Sequence, residues 1–166
     1  MNEAYVEQLI RRKSPAGFNA IRILMIVLAV FSVAVGILVS PLGFLTAIAA
    51  GGVAVVLQSN AEIEYEYLFV DRELTVDIIR NKARRKKVGT VEVNHMELFA
   101  PAGSDRLKAY LDKGLKVRDY SSQMEDSDPY AIVYNGKKGM EIMLVEGSEE
   151  LYKCFFTTAP RKVFKD

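Results

Sequence analysis

The sequence has one cysteine, Cys154, and one histidine, His95. A lone cysteine rules out an intramolecular disulfide and suits a reducing compartment. A lone histidine, with no Cys-x-x-Cys or His-x-x-x-His spacing, leaves no zinc-type ligand set. A phosphate-cradling loop is missing too: Gly136-Lys137-Lys138-Gly139 reads as a hairpin turn with no helix behind it. The acidic group Glu125, Asp126 and Asp128 lacks the ligand order of an EF-hand and reads as solvated loop. His95 reads as an ordinary strand-end side chain, and Cys154 as a small buried hydrophobe on a helix. No catalytic residue, metal site or cofactor is expected, and the chain is read as a non-enzyme.

Charge is the next thing missing. From Ile23 to Ala61 thirty-nine residues carry none. One bilayer span needs about 20 apolar residues, so the run is long enough for two short ones. Ser40-Pro41-Leu42-Gly43 breaks it near the middle, because proline lacks an amide donor and glycine tolerates positive φ. A signal peptide's apolar core runs roughly 7–15 residues, so this longer stretch is expected to stay attached. Two transmembrane helices are expected, at about 18–39 and 43–60, with Arg22 snorkelling toward head groups. Ser32, Gly36 and Ser40 recur at helical spacing in the first helix, and Gly43, Ala47 and Gly51 in the second. Such small-residue faces let helices approach closely in lipid, so these positions are expected to pack against each other.

Basic residues flank both ends of the run, and the turn between the helices has no charge. By the positive-inside rule both termini are expected in the cytoplasm, in a multi-pass protein of the cell membrane. Residues 1–17 read as an amphipathic helix, with Tyr5, Val6, Leu9 and Ile10 on one face and Glu7 and Arg11 paired four apart. Ser14-Pro15 would end it. It would lie in the membrane interface or pack on the remaining chain, and its residues favour neither.

Past Ala61 the period changes to two. Glu62–Val70 and Glu73–Arg80 alternate apolar and polar around the turn Asp71-Arg72, and Arg85–Val93 follows as a third strand. His95–Ala100 is a fourth. Ser104 caps a helix over Asp105–Lys113, ended by Gly114. Leu115–Tyr120, Tyr130–Tyr134 and Met140–Val145 read as strands, the last two joined by the hairpin signal Asn135-Gly136. Glu149 to about Thr157 closes the chain as a helix, with Leu151, Cys154 and Phe155 inward.

Four strands, a helix, three strands and a closing helix resemble the pleckstrin-homology-like (PH-like) barrel. Tyr67-Leu68-Phe69-Val70-Asp71-Arg72-Glu73-Leu74-Thr75-Val76 is similar to the opening hairpin of bacterial PH-like domains tethered behind two membrane helices. With its opening Met1-Asn2-Glu3-Ala4-Tyr5-Val6-Glu7, the chain resembles a bacterial family of small two-span proteins catalogued as a domain of unknown function. The resemblance implies an α+β chain: an N-terminal transmembrane helical hairpin, then a small antiparallel PH-like β-barrel over 62–166 with a C-terminal helix, facing the cytoplasm. It implies no activity.

One cluster stands out. Arg80, Lys82, Arg84, Arg85, Lys86 and Lys87 place six cations in eight positions around a predicted hairpin. Basic residues near an anionic leaflet gain about 1 kcal/mol each. The plain alternative is a solvated hairpin that only enforces topology, and a third reading is binding of an acidic protein segment. The expected partners are the lipid bilayer, through anionic head groups, or a membrane protein. With a net charge of +1 the chain is not a general nucleic-acid binder. The expected function is a membrane-anchored interaction module. The alternative is a structural subunit of a membrane complex assembled through the helical hairpin.

Overall fold

The computed structural model describes residues 5–14, 17–137 and 139–165. They form two compact units. One joins the residues before Ser14 to Glu64–Ile79 and to the chain from Arg84 onward; the other is Ser14–Ile63 with Arg80–Ala83.

The first unit holds two four-stranded sheets. Strands β1 (Val6–Arg11), β2 (Ile63–Val70), β3 (Glu73–Arg80) and β4 (Arg84–Glu92) lie side by side in chain order. Two tight turns connect the last three. Asp71 and Arg72 take φ of 50° and 65°, and Asn81 and Lys82 take 51° and 54°. Paired positive φ values match the right-handed twist of the flanking strands. The second sheet is ordered β5 (Met96–Pro101), β7 (Pro129–Gly136), β8 (Gly139–Glu146), β6 (Lys116–Asp119). Strand β6 runs parallel to β8, and the other pairings in this sheet are antiparallel.

Alternation builds the core. Tyr67 and Phe69 of β2, Leu74 and Val76 of β3, and Val91 of β4 are fully buried, as are Phe99, Ile132, Met143 and Val145 of the second sheet. Helix α4 (Glu149–Thr158) adds Leu151 and Phe155. Phe155 stands edge-on to Phe69 at 5.0 Å and stacks on Phe99 at 4.6 Å, so one ring ties both sheets together. The opposite face of the second sheet carries Leu98, Ala100, Ala131, Val133 and Ile142, packed with Leu107 of α3 (Asp105–Leu111). Ser104 and Ser148 cap α3 and α4 by accepting from Arg106 N–H and Leu151 N–H, as the sequence predicts for Ser104.

The second unit contains α1 (Phe18–Leu38) and α2 (Leu42–Ala61). They are antiparallel: Gly36 meets Gly43 and Phe44 beside the connection, and Arg22 Nη1 donates to Gln58 Oε1 at 2.6 Å at the far end. Besides Phe18, Val35, Gly51 and Leu57, the buried or half-buried positions described on the helices are Arg22, Met25, Ala29, Ser32 and Gly36 on α1, and Gly43, Ala47, Ala50 and Ala54 on α2. These are alternating steps of four and three, the spacing of a helix–helix seam. Helix α1 is long and apolar enough to cross a membrane, whereas the apolar part of α2, Leu42–Gln58, is shorter.

Several expectations change. Within residues 1–17 the expected amphipathic helix is strand β1 over Val6–Arg11, paired antiparallel with β2 from Val6↔Phe69 to Arg11↔Glu64. A lone helix that short is unstable in water, and the open edge of β2 offers a full ladder instead. Arg11 therefore pairs with Glu64 at 3.4 Å rather than with Glu7. It follows that 62–166 is not the whole domain. The helical pair is an insertion between two neighbouring strands of one sheet. Nor is the barrel closed or wholly antiparallel: two separate sheets face each other, and β6 is parallel. Among the packing residues Ser32, Gly36 and Gly43 are buried, and Ala47 and Gly51 are half-buried, Gly51 with nothing within 4 Å of where a Cβ would sit. The α2 seam follows Ala50 and Ala54 because it advances by sevens, while the sequence pattern advances by fours.

Candidate functional site

The six cations of the basic hairpin divide into three groups. Arg85 is committed to the fold. Its Nε donates to Asp77 Oδ2 of β3 at 2.6 Å, and its guanidinium also contacts Glu66 of β2. Both carboxylates are largely buried, so Arg85 supplies the charge that lets them stay there. Lys87 reaches Glu73 at 3.5 Å. Arg84 and Lys86 are exposed and make no ion pair among the described residues.

Arg80 and Lys82 belong to the helical unit. Between them, Asn81 N–H donates to Glu62 C=O, the C-cap of α2, at 3.0 Å. Gln58, which accepts from Arg22, lies one turn earlier on α2, about 6 Å along the axis. The polar end of the helical pair thus holds Arg22, bonded to Gln58, and the turn that carries Arg80 and Lys82, bonded through Asn81 to Glu62. The other end is the uncharged turn Val39-Ser40-Pro41. Between the two ends the outer surfaces are apolar: Phe31 is 66% exposed and Leu45 65%. Such a patch far exceeds what a protein surface in water carries without a partner.

A second feature was not foreseen. The inner face of the second sheet is apolar at Ile132, Met143 and Val145, but turns polar at Tyr134, Glu141 and Arg118. There the first sheet does not cover it, and a cleft of about 620 Å³ opens between β4 and the β7–β8 hairpin. Register puts Glu141 opposite Tyr134 on β7 and beside Lys116 on β6. Arg118 holds Glu141 with two contacts, Nε to Oε2 at 2.8 Å and Nη2 to Oε1 at 3.2 Å, and Tyr134 Oη donates to Glu141 Oε2 at 3.1 Å. The bond from Arg118 holds the Glu141 carboxyl below its usual range. Burial, then the carboxylate beside it, push the Tyr134 phenol up to about 12. The group is therefore an ion pair with a neutral phenol beside it at neutral pH.

Glycine makes close packing possible at one wall of this cleft. A Cβ on Gly89 would lie 2.7 Å from Met143 Cε. Nearby, the seam between the sheets is closed by side chains instead of a ladder. Tyr120 Oη donates to Val88 C=O at 2.9 Å, and the buried Tyr67 hydroxyl donates to Tyr120 C=O at 2.5 Å and accepts from Glu146 N–H.

His95 sits exposed on the rim, 3.8 Å from Glu92. Cys154 is half-buried on α4 and burial pushes its thiol up, which leaves less of it as the reactive thiolate. Glu125 of the acidic loop pairs with Lys13 at 3.0 Å. Among the described residues no group of three or more His, Cys, Asp or Glu is placed to hold a metal.

These features define a two-sheet α+β domain, closed by a C-terminal helix and interrupted between its first two strands by an apolar helical pair. The chain belongs to the bacterial PH-like domain family DUF6106, whose model matches residues 2–165. The match includes β1 and both helices as well as the remaining strands. The family description gives a fold and no activity. No curated protein and no solved structure matches the chain.

Proposed function

We propose that the chain is a non-enzymatic interaction module of the cell membrane. In this reading α1 and α2 cross the bilayer as a hairpin, both termini stay in the cytoplasm, and Arg22, Arg80 and Lys82 meet anionic head groups. The observation that carries it is the bond from Asn81 N–H to the Glu62 carbonyl, which fixes a basic turn at the polar end of an apolar helical pair. Anionic lipid attracts such residues by about 1 kcal/mol each, and the uncharged turn Val39-Ser40-Pro41 faces the opposite side at little cost. The helices are short for full spans, and snorkelling of Arg22 and local thinning would absorb the mismatch.

The test uses the full chain in nanodiscs of mixed neutral and anionic lipid. Native mass spectrometry counts the lipids retained after the disc is stripped. Selective retention of anionic lipid, lost in R80Q/K82Q, is expected. Retention that ignores lipid charge would remove the head-group reading, and release of the chain from membranes by alkaline carbonate would remove the spanning one.

A second reading is a structural subunit of a membrane complex. The open surface at Gly51 and Gly52, with nothing near either Cβ position, favours it, because a second helix could approach closely there. Cysteine crosslinking in membranes at position 51 tests it, and a chain that stays monomeric at all protein-to-lipid ratios argues against it.

A further inference from the structure

Four consecutive residues of β4, Lys87, Val88, Gly89 and Thr90, line the cleft. Alternate residues of a strand point to opposite faces, so one cavity can touch four in a row only if it lies along the strand's edge. That edge is free, because β4 is the last strand of its sheet. Tyr120 Oη reaches Val88 C=O, so the main-chain groups of Val88 point outward, and by alternation those of Lys86 and Thr90 do too. Tyr120 already occupies the Val88 carbonyl, so an added strand would displace that one bond; no strand among the described residues pairs with the rest of the row, and such an edge is a template for another strand.

Cations outnumber acids beside this edge, where Lys87, Arg118 and Lys137 line the cleft with Glu92 and Glu141. Arg84 and Lys86 are unpaired on β4, and Lys137 at the β7–β8 turn also makes no ion pair among the described residues. Of the nearby acids, Glu73 is paired with Lys87 and Glu141 with Arg118, which leaves Glu92, 3.8 Å from His95, as the one lining acid with no lysine or arginine partner among the described residues. Arg84 and Lys86 are two residues apart and so share a face of the strand.

From this we propose that the cleft binds an extended acidic segment of a partner protein, added as a strand on the free edge of β4. Its carboxylates recur at every second position, opposite Arg84 and Lys86, where cross-strand pairs of opposite charge stabilise the ladder. One end of the segment enters the cleft beside Lys137. This site is separate from the head-group contact of Arg80 and Lys82, and neither depends on the other.

The experiment uses the full chain in nanodiscs of neutral lipid at physiological salt. The probe is a labelled peptide of about eight residues alternating valine and glutamate, the length that covers Arg84–Thr90. Saturable binding is expected, with slowed amide exchange at Lys86, Val88 and Thr90. R84E/K86E is expected to weaken it at least about tenfold. T90P removes one outward N–H, and an edge strand tolerates proline there, so it is expected to lose binding while keeping its melting temperature. If T90P does not fold, exchange in the unaltered chain decides. The proposal is overturned if the peptide leaves β4 exchange unchanged, if a peptide with the same glutamates in one block binds equally, or if anionic vesicles or a polyanion compete as well as the peptide does.

Discussion

Gly43 and Gly36 touch backbone to backbone: a Cβ on Gly43 would lie 2.4 Å from Gly36 N and 2.7 Å from Ser32 O. Main chain cannot swing aside as a side chain can, so any residue larger than glycine forces the helices apart. Gly43→Val is expected to cost about 1–3 kcal/mol, seen as a lower melting temperature of the full chain in detergent. Gly51→Ala, which meets nothing, should stay within about 0.5 kcal/mol. Equal effects at the two positions would mean that the seam lies elsewhere.

The cations of β4 are expected to separate by role. Arg85→Ala leaves Glu66 and Asp77 without their partner and should destabilise the sheet by about 1–2 kcal/mol in urea titrations. Arg84→Ala and Lys86→Ala remove exposed, unpaired charge and should change stability by less than about 0.5 kcal/mol.

The pair Arg118–Glu141 should make stability depend on pH. The folded state holds the Glu141 carboxyl below its ordinary value of 4.5. Stability from this pair is therefore full above about pH 4.5 and is lost as pH falls through the lower folded value. Arg118→Met strands a buried carboxylate and is expected to cost about 3–5 kcal/mol at pH 7. That deficit should shrink as the pH drops and Glu141 protonates. A loss that is constant from pH 7 to pH 3 would show that the effect is packing and not charge.

Strand β1 makes a further expectation concrete. A fragment starting at Glu62 leaves the edge of β2 uncovered and is expected to aggregate. Replacing Ser14–Glu62 with a short Gly/Ser loop should give a monomeric soluble domain, because Arg11 and Glu64 are already register partners and a loop closing them costs little entropy. Size-exclusion chromatography and circular dichroism of the two chains check this, with the loop-closed form monomeric and rich in strand.

Local pattern and composition were enough for much of this protein. Charge-free length separates α1 and α2 from the rest, because hydrocarbon and water sort residues by polarity alone. Two-residue alternation places β2, β3, β7 and β8, and turn chemistry at Asp71 and Asn81 divides β2, β3 and β4. Asn135 and Gly136, expected as the turn of the last hairpin, instead pair with Met140 and Gly139 inside the ladder, and the chain reverses one step later. Those signals are local, so they survive without knowledge of the fold. What the tertiary structure decided is non-local. Val6–Arg11 carries a pattern that a helix or an edge strand can satisfy, and only the waiting edge of β2 selects the strand. The six basic residues look equivalent in sequence. Buried Glu66 and Asp77 claim Arg85, and the hydrogen bond to Glu62 gives Arg80 and Lys82 to the helical unit. The cleft arises where two sheets part, between residues distant in the chain, and no spacing along the sequence encodes it.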